Sequence, residues 1–343
     1  MLLEQEIQEQ ASVLERLLGE QWGHVAQIVA AIKAFDPPYV LIAARGTSDN
    51  AARYAQYVLG GKAHLPVALS TPSLHTLYET PPNLGKGLVI GISQSGQAED
   101  VRRVLADARE QGALTISVTN YDNSPMAQTA AHHIPLCAGE ELSIAATKTY
   151  TAQLTVMAML GALLSGDSIL LDELRQLPGW MQATLDFSAE IAGWAERYRY
   201  MTHFAAVGRG YNYPTAFEIS LKIKELTYVI GEGYSEADFR HGPIATIMPE
   251  LPVIVVVPQG HTTPAMRDLV AKLGEKQAEL LVISNDDDAL KPATKAMRIA
   301  NLPEWLSPIV GVVPGQVLAM NLALVRGYPV DKPHGLTKVT ITR

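Results

Sequence analysis

Three charged residues, Glu218, Lys222 and Glu225, lie close together in a stretch that is otherwise mostly apolar. The stretch runs from Pro214 to Ile230 and predicts a buried helix, because proline suits the first helical turn and apolar residues recur at helical spacing. Positions i, i+4 and i+7 share one helix face, so Glu218 can hold Lys222 while Glu225 keeps a carboxylate for proton transfer. An internal Glu–Lys ion pair without chemistry is the alternative.

A polar turn, SQSG at 93–96, follows the apolar run at 88–92 and precedes a predicted helix. Backbone amides and the positive end of a helix dipole favour a phosphate at such a turn, and two serine hydroxyls add donors. Thr47 and Ser48 occupy a neighbouring strand-end turn and can close on the same anion. Polar strand ends are also common without any ligand. Neither GxGxxG nor GxxxxGK[ST] follows a strand, which disfavours a dinucleotide or a nucleoside triphosphate.

Three residues elsewhere in the chain carry groups that could take part in the same chemistry. His241 is either a proton carrier near neutral pH or a histidine without a role, in a polar loop at 238–243. Lys338 belongs to a C-terminal tail that we expect to be mobile unless a ligand orders it. Thr147 opens the helix that carries Gln153, either as a cap or as a ligand contact. The histidines lack paired ligand spacing, so we expect no metal and no cofactor.

The elements that must position these groups are short apolar strands that alternate with helices. Strands are predicted at 39–44, 88–92, 114–118, 204–208 and 253–257. This alternation, with small polar residues at strand ends, predicts an α/β fold in which a doubly wound parallel sheet has helices on both faces.

The second half of the sequence repeats the anchors of the first at an almost constant spacing. Arg45-Gly46 recurs 164 residues later as Arg209-Gly210, and Gln153 recurs 163 residues later as Gln316. Gln94 and the segment 117–120 each recur 165 residues later. The chain is therefore predicted to hold two tandem copies of one domain. We expect a helical segment at 1–30, domains at 31–168 and 194–334, a linker helix region at 169–193 and a tail at 335–343.

Composition limits the partners and the compartment. The net charge of −8 and the pI near 5.6 argue against nucleic acid and anionic membrane as partners. Cys137 is the only cysteine, which excludes an internal disulfide framework and a Cys-rich zinc site. Apolar runs such as 154–164 are too short to span a bilayer, and the opening MLLEQEIQEQ lacks a leader pattern. We therefore expect a cytoplasmic protein.

Taken together, the motifs resemble the sugar isomerase (SIS) domain family, and within it the tandem isomerase half of glutamine:fructose-6-phosphate amidotransferase. The motifs are Glu6-Ile7, Glu9-Gln10, GTS at 46–48, SQSG at 93–96, ATK at 146–148, the helix at 216–225, RHGP at 240–243 and the tail at 336–338. This resemblance covers nearly the whole chain. It implies a five-stranded parallel sheet in each domain and a sugar 6-phosphate as ligand.

The resemblance also implies roles for individual residues. Glu225 matches the base that moves a proton between sugar C1 and C2, with Lys222 and Glu218 beside it. His241 matches the ring-opening histidine that the other subunit supplies, so a homodimer is implied, and Lys338 matches the lysine that engages the open-chain carbonyl. The residues expected to contact phosphate or substrate are Gly46, Thr47, Ser48, Ser93, Gln94, Ser95, Ile144, Ala146 and Thr147.

Several departures separate the chain from the amidotransferase. Arg45 stands where the amidotransferase has cysteine, Ala98 where it has a phosphate-binding threonine, and Ala146 where it has serine. We expect no ammonia from glutamine within this chain, because it shows no glutaminase domain. These departures resemble stand-alone tandem SIS deaminases and deglycases. The sequence predicts conversion of glucosamine 6-phosphate to fructose 6-phosphate and ammonia; a ketoamine 6-phosphate deglycase and a non-catalytic phosphosugar sensor stay open.

Overall fold

The computed structural model describes residues 1–339. The chain divides into two compact units. We call them unit N, which holds residues 12–141, 148–176 and the described tail residues 337–339, and unit C, which holds residues 1–11, 142–147 and 177–336. The domain bounds expected from the sequence stay a prediction.

The helices and strands of the described residues follow in chain order. The helices are α1 (Leu2–Gln8), α2 (Gln10–Phe35), α3 (Thr47–Ala63), α4 (Ser73–Thr76), α5 (Glu99–Glu110), α6 (Pro125–Thr129), α7 (Lys148–Ser165), α8 (Ser168–Ser188), α9 (Tyr213–Thr227), α10 (Glu236–Arg240), α11 (Thr263–Glu275), α12 (Asp287–Leu290), α13 (Ser307–Gly311) and α14 (Val313–Val325). The strands are β1 (Val40–Ala43), β2 (Val67–Leu69), β3 (Leu88–Ile92), β4 (Leu114–Thr119), β5 (His132–Pro135), β6 (His203–Gly208), β7 (Ile230–Ser235), β8 (Pro252–Val256), β9 (Glu279–Ser284) and β10 (Lys295–Arg298). Short 3₁₀ helices lie at Ala189–Gly193, Ala195–Tyr198, Gly210–Asn212, Pro243–Thr246 and Glu304–Leu306.

Unit N is built on a five-stranded parallel sheet in the order β2-β1-β3-β4-β5. The central strand β3 is buried at every residue, as expected for a parallel strand covered on both faces. On one face Val89 packs with Val101, Val104 and Leu105 of α5. Because all strands of this sheet are parallel, their C-terminal ends lie at one edge, where the polar turns follow them.

Unit C repeats this architecture. Its five parallel strands have the order β10-β9-β8-β6-β7, so that the second strand of the unit flanks the first, as in unit N. Alternate residues of the sheet, including Val207, Val255 and Val282, pack with Met266 and Leu269 of α11. The predicted doubly wound α/β fold, with two five-stranded parallel sheets and helices on both faces, is confirmed.

Apart from the interior strand β9, the described strands without a sequence prediction of their own are the edges of the two sheets. β2 and β5 border the sheet of unit N, and β7 and β10 border that of unit C. Each of these strands has at most one buried residue, and the others are partly or fully exposed. Their apolar pattern is weaker than that of the central strands because each has only one neighbour.

Two helix predictions need correction. The helix predicted from Pro214 to Ile230 is α9, which ends at Thr227, because Tyr228 takes a left-handed conformation with φ of 58°. Ile230 instead begins β7 and is exposed. The segment predicted as a polar loop at 238–243 is helical in its first part, since α10 extends to Arg240.

One helical stretch among residues 1–339 is long and apolar enough to cross a membrane by length and composition. It runs from Glu304 to Val325 and joins α13 and α14 to the 3₁₀ turn before them. The sequence prediction overlooked this run. The protein buries 83% of its apolar window, as is typical of a core helix.

Candidate functional site

The serine turn of unit N, residues 93–96, lies between β3 and α5. Ser93 Oγ accepts a hydrogen bond from the Gly96 amide (3.1 Å), and Ser95 Oγ accepts one from the Gln97 amide (3.3 Å). A hydroxyl carries one hydrogen besides its acceptor lone pairs, so both serines can still donate to a ligand. Gly96 has φ of +66°, and a Cβ there would lie 2.3 Å from Ser124 Oγ. Only glycine therefore fits this turn.

The neighbouring turn of the unit opens α3. Gly46 precedes the helix with φ of 55°, and Thr47 is its first residue. Ser48 is buried, and its Oγ accepts a hydrogen bond from Gln153 Nε2 at 3.0 Å. Sequence reasoning used Gln153 only as a repeat anchor. The structure shows that this glutamine of α7 fixes the orientation of Ser48.

Two carboxylates stand at the start of α5, directly after the serine turn, and each is paired with an arginine. Asp100 is fully buried, and its Oδ2 lies 2.7 Å from Arg45 Nε. Glu99 accepts a hydrogen bond from Arg102 Nε at 2.8 Å, and this bond lowers the pKa of Glu99. The pairs offset the negative charge that would repel an anion at this end of the helix. Ala98, the residue before the helix, provides no side-chain cap.

The tail lysine Lys338 is anchored within unit N. Its Nζ lies 3.0 Å from Oε2 of Glu141, whose side chain is fully buried. The same carboxylate accepts hydrogen bonds from the Thr149 amide (3.1 Å) and from Thr149 Oγ1 (2.8 Å) at the start of α7. A buried carboxylate therefore contacts the ammonium of Lys338 within unit N, and the mobility of the tail stays a prediction.

In unit C the charged residues of α9 form one cluster. Lys222 Nζ lies 3.4 Å from Glu218 Oε1 and 2.6 Å from Glu225 Oε2. Glu218 and Lys222 are buried, whereas the Glu225 side chain is 23% exposed. The sequence predicts the pair of Lys222 with Glu218, and the structure adds the shorter contact to Glu225. The cluster thus presents one carboxylate to an incoming molecule and backs it with a buried ammonium.

His241 lies directly after α10 and is exposed. Its amide donates to the Asp238 carbonyl at 3.0 Å. The preceding residue, Arg240, forms ion pairs with the buried Glu236 and with Asp268, the latter at 2.8 Å. α10 is therefore fixed by ion pairs, while the imidazole of His241 faces outward.

The remaining predicted residues, Ile144, Ala146 and Thr147, belong to unit C and lie just before α7. Thr147 is buried, and Ile144 and Ala146 are partly exposed. Glu6 of α1 holds the start of this segment, because its carboxylate accepts hydrogen bonds from the amides of Leu142 and Ser143 and from the Ser143 hydroxyl. The Glu6-Ile7 motif thus has a structural task that the sequence did not reveal.

Each unit gathers its own group of predicted residues. Unit N holds Gly46, Thr47, Ser48, Ser93, Gln94, Ser95 and Lys338. Unit C holds Ile144, Ala146, Thr147, Glu218, Lys222, Glu225 and His241. Within residues 1–339, no group of three or more His, Cys, Asp or Glu side chains is arranged to hold a metal ion.

The family of this chain is decided by a match to the SIS domain that covers residues 35–163 and 202–326, once in each half. The chain belongs to the SIS domain family. This phosphosugar isomerase family is the one that the motifs indicated, so the predicted resemblance is confirmed, and the two matched segments contain the two sheets.

Known SIS proteins resemble this chain over most of its length. The glutamine–fructose-6-phosphate aminotransferase (isomerizing) of Thermus thermophilus is 33% identical over 347 residues, which cover 97% of this chain and 57% of that enzyme. This SIS chain therefore spans little more than half of that relative. A solved Silicibacter pomeroyi protein, proposed to be a phosphosugar isomerase, is 28% identical with a TM-score of 0.86, covering 96% of this chain and 99% of its own. The glucosamine-6-phosphate deaminase of Thermotoga maritima shares the fold (21% identity, TM-score 0.83, full coverage of both chains).

Proposed function

We propose that this SIS protein converts an amino sugar 6-phosphate, most simply glucosamine 6-phosphate, to fructose 6-phosphate and ammonia. The observation that carries the proposal is the α9 cluster, in which the partly exposed carboxylate of Glu225 lies 2.6 Å from the ammonium of the buried Lys222. A carboxylate at the surface can exchange a proton with a substrate. A neighbouring cation stabilises the negative charge that develops on the substrate during the transfer.

The serine turn supports the choice of a phosphorylated substrate. Ser93 and Ser95 keep hydroxyl hydrogens for an acceptor, and the carboxylates that follow them are paired with Arg45 and Arg102. We assign phosphate binding to this turn and to Thr47 and Ser48 beside it. A phosphate held by hydroxyls and amides fixes the sugar chain, which orients C1 and C2 for proton transfer.

The proposed reaction needs no redox partner. His241 assists opening of the pyranose ring, and Glu225 removes the proton from C2 of the open-chain aldose. The resulting enolamine takes the proton back at C1, which gives the ketose imine at C2. Water adds to the imine carbon and ammonia leaves, so glucosamine 6-phosphate and water become fructose 6-phosphate and ammonia. Lys222 and Lys338 stabilise the charge that develops on the substrate oxygens.

The subunit arrangement and the compartment are part of the proposal. We assign the protein to the cytoplasm, where sugar phosphates are made and consumed. A homodimer is proposed in which each subunit supplies His241 to its partner, and the exposed position of this histidine after α10 suits such a role.

The proposal is tested by incubating the protein with glucosamine 6-phosphate and measuring ammonia and fructose 6-phosphate. We expect both products in equal amounts. Release of an amino acid from a fructosamine 6-phosphate instead would establish the deglycase, and binding without turnover of either would establish a sensor.

The assignment of Glu225 is tested by Glu225→Gln, which keeps the size of the side chain and removes the base. We expect turnover to fall by about 10² to 10⁴, while the Kd for glucosamine 6-phosphate stays within about twofold. The matched control is Glu232→Gln, which removes an exposed carboxylate from β7 of the same unit. Weakened substrate binding with turnover retained in the Glu225 variant would refute the assignment.

A further inference from the structure

In unit C, the turn that corresponds to the serine turn binds a carboxylate of the protein itself, that of Glu304. Residues 258–261 follow β8, the third strand of the unit, and precede α11, just as residues 93–96 follow β3 and precede α5. The His261 amide donates to Glu304 Oε2 at 2.7 Å. The Thr262 amide and hydroxyl donate to Glu304 Oε1 at 3.1 Å and 2.5 Å. Three donors, one from this turn and two from Thr262 directly after it, thus converge on one carboxylate.

The carboxylate of Glu304 lies against Gly260 of the turn, a residue without a side chain. A Cβ on Gly260 would be 2.3 Å from Glu304 Oε2, so only glycine leaves room for it. α11 has 13 residues and receives no side-chain cap from Thr262, its own N-cap residue. Glu304 comes from a different element, the 3₁₀ turn more than 40 positions later in the chain. It therefore acts as an anion delivered to the turn from outside.

In each unit a phosphate-binding frame can be defined as the turns that follow its first and third strands. The turn after the first strand is also preserved in unit C. Gly210 has φ of 57°, close to the 55° of its counterpart Gly46. A Cβ on Gly210 would lie 3.1 Å from Thr262 Cγ2, so this turn adjoins the one that holds Glu304. Burial and, after it, the charge of Glu304 raise the pKa of Tyr211, which corresponds to Thr47. Both turns of the frame are therefore present around a negative charge.

Glu304 has a counterpart in unit N with another task. It precedes the repeat anchor Gln316 by twelve residues, and Glu141 precedes the anchor Gln153 by the same number. Glu141 is held by Thr149 and Lys338, whereas Glu304 is held by the strand-end turn. One acidic position of the ancestral domain has therefore acquired a different partner in each copy.

We propose that Glu304 is an internal substitute for a phosphate group, and that it restricts the chain to one phosphate-binding frame. The inference rests on the proposed function in that the serine turn of unit N is taken as the phosphate site. A carboxylate tethered in the same chain competes with free anions at a high effective concentration. Its removal opens the turn of unit C to inorganic phosphate or to the phosphate group of a sugar.

The test measures the response of the unfolding temperature to inorganic phosphate against chloride at equal ionic strength. Ser93→Ala is the background, because it weakens the site of unit N and isolates the turn of unit C. We expect the double variant S93A/E304A to unfold at a lower temperature than S93A in chloride. Phosphate at about ten times its Kd should raise that temperature by about 2 to 4 °C, since phosphate restores the missing anion.

Two companions keep the test decisive. Glu304→Gln retains the bulk of the side chain in the turn, so S93A/E304Q should show at most half the phosphate response of S93A/E304A. Glu304→Ser is measured in parallel in case the alanine variant does not fold. The absence of a phosphate-specific rise in both the alanine and the serine variants overturns the inference, and so does an equal rise in S93A alone.

The same measurements separate this inference from the proposed function. If wild type responds to phosphate no more than S93A does, the phosphate role of the serine turn fails. The role of Glu304 is judged by the difference between S93A/E304A and S93A, which does not depend on that outcome.

Discussion

The charge balance around the serine turn depends on single arginines. Asp100 is fully buried one residue into α5, and Arg45 is the ion-pair partner that the structure gives it there. The Arg45 side chain is 51% exposed, so its guanidinium can also face a bound anion. A guanidinium beside the serine turn can therefore supply a charged donor that Ala98 cannot.

We predict that Arg45→Ala weakens binding of glucosamine 6-phosphate by about tenfold. The change removes a charged donor, worth about 1.5 kcal/mol or more in a charge-assisted contact, and leaves the buried Asp100 to repel the phosphate. Titration calorimetry measures the effect. Arg103→Ala is the control, since it removes an equal charge that is likewise paired with a carboxylate of α5, that of Asp107. Equal Kd values for the two variants would contradict the role of Arg45.

The environment of His133 is expected to make the stability of unit N sensitive to acid. Burial lowers the pKa of His133 below its usual value of 6.5, although the nearby Asp122 opposes the shift. The folded protein therefore binds fewer protons at this site than the unfolded chain, so stability is lost as the pH falls below 6.5. We expect the unfolding temperature to drop less between pH 7.5 and 5.5 in His133→Asn than in wild type. The same drop in wild type and in this variant, with His132→Asn as control, would refute the prediction.

Local spacing was sufficient for the α9 cluster but not for the residues that hold the turns. Glu218 and Lys222 are four positions apart, and any helix places them on one face. Ser48 and Gln153 are 105 positions apart, and Glu141 and Lys338 are 197 apart. Such pairs depend on how helices and tail pack, which no local pattern records.

The elements differ in how clearly their sequence announces them. β3 is buried on both faces and was predicted with its observed ends, because a short continuous apolar run bounded by polar turns is typical of a buried strand. β2, β5, β7 and β10 each pair on one side only, and their mixed composition gives no such signal. α9 was predicted two to three residues too long, since the apolar Tyr228 and Ile230 continue its helical spacing but belong to the turn and to the next strand.

The tail is the element whose order we expect to depend most on one contact. Glu141→Gln removes the charge that holds Lys338 while keeping a side chain of the same size. We predict that trypsin then cleaves after Lys338 at least about tenfold faster, because a buried charge-assisted contact is worth about 1.5 to 3 kcal/mol. Mass spectrometry over a time course follows the cleavage. Glu140→Gln, an exposed neighbour, is the control, and equal rates in both variants would argue against the contact as the restraint.

Across the whole molecule, duplication has preserved the frame and changed its contents. Both sheets have the same strand order, and Gly46 and Gly210 keep the same left-handed turn. Unit N keeps two serines in the turn at residues 93–96, whereas the corresponding turn of unit C holds the carboxylate of Glu304, and unit C has its own charged cluster on α9. Under the proposed function, one copy of the domain therefore binds the phosphate and the other transfers the proton.

The proposed homodimer, in which His241 serves the site of the partner subunit, can be tested by mixing two inactive variants. His241→Ala and Glu225→Gln should each be inactive as homodimers. If His241 serves the partner's site, dimers re-formed from an equal mixture should regain about a quarter of wild-type activity, because half of them are mixed and each mixed dimer has one intact site. No recovery after confirmed subunit exchange would place His241 in the site of its own subunit.

The reciprocal mixture tests the same prediction in the opposite sense, again after subunit exchange has been confirmed. A chain carrying both E225Q and H241A is mixed in equal amount with wild type. If the histidine acts across the interface, every mixed dimer has one defect in each site, so about a quarter of the sites remain active. If it acts within its own chain, each mixed dimer keeps one intact site and about half remain active. A histidine that acts across the interface therefore raises the activity of the first mixture and lowers that of the second, compared with a histidine that acts within its own chain. A general loss of activity on mixing would lower both.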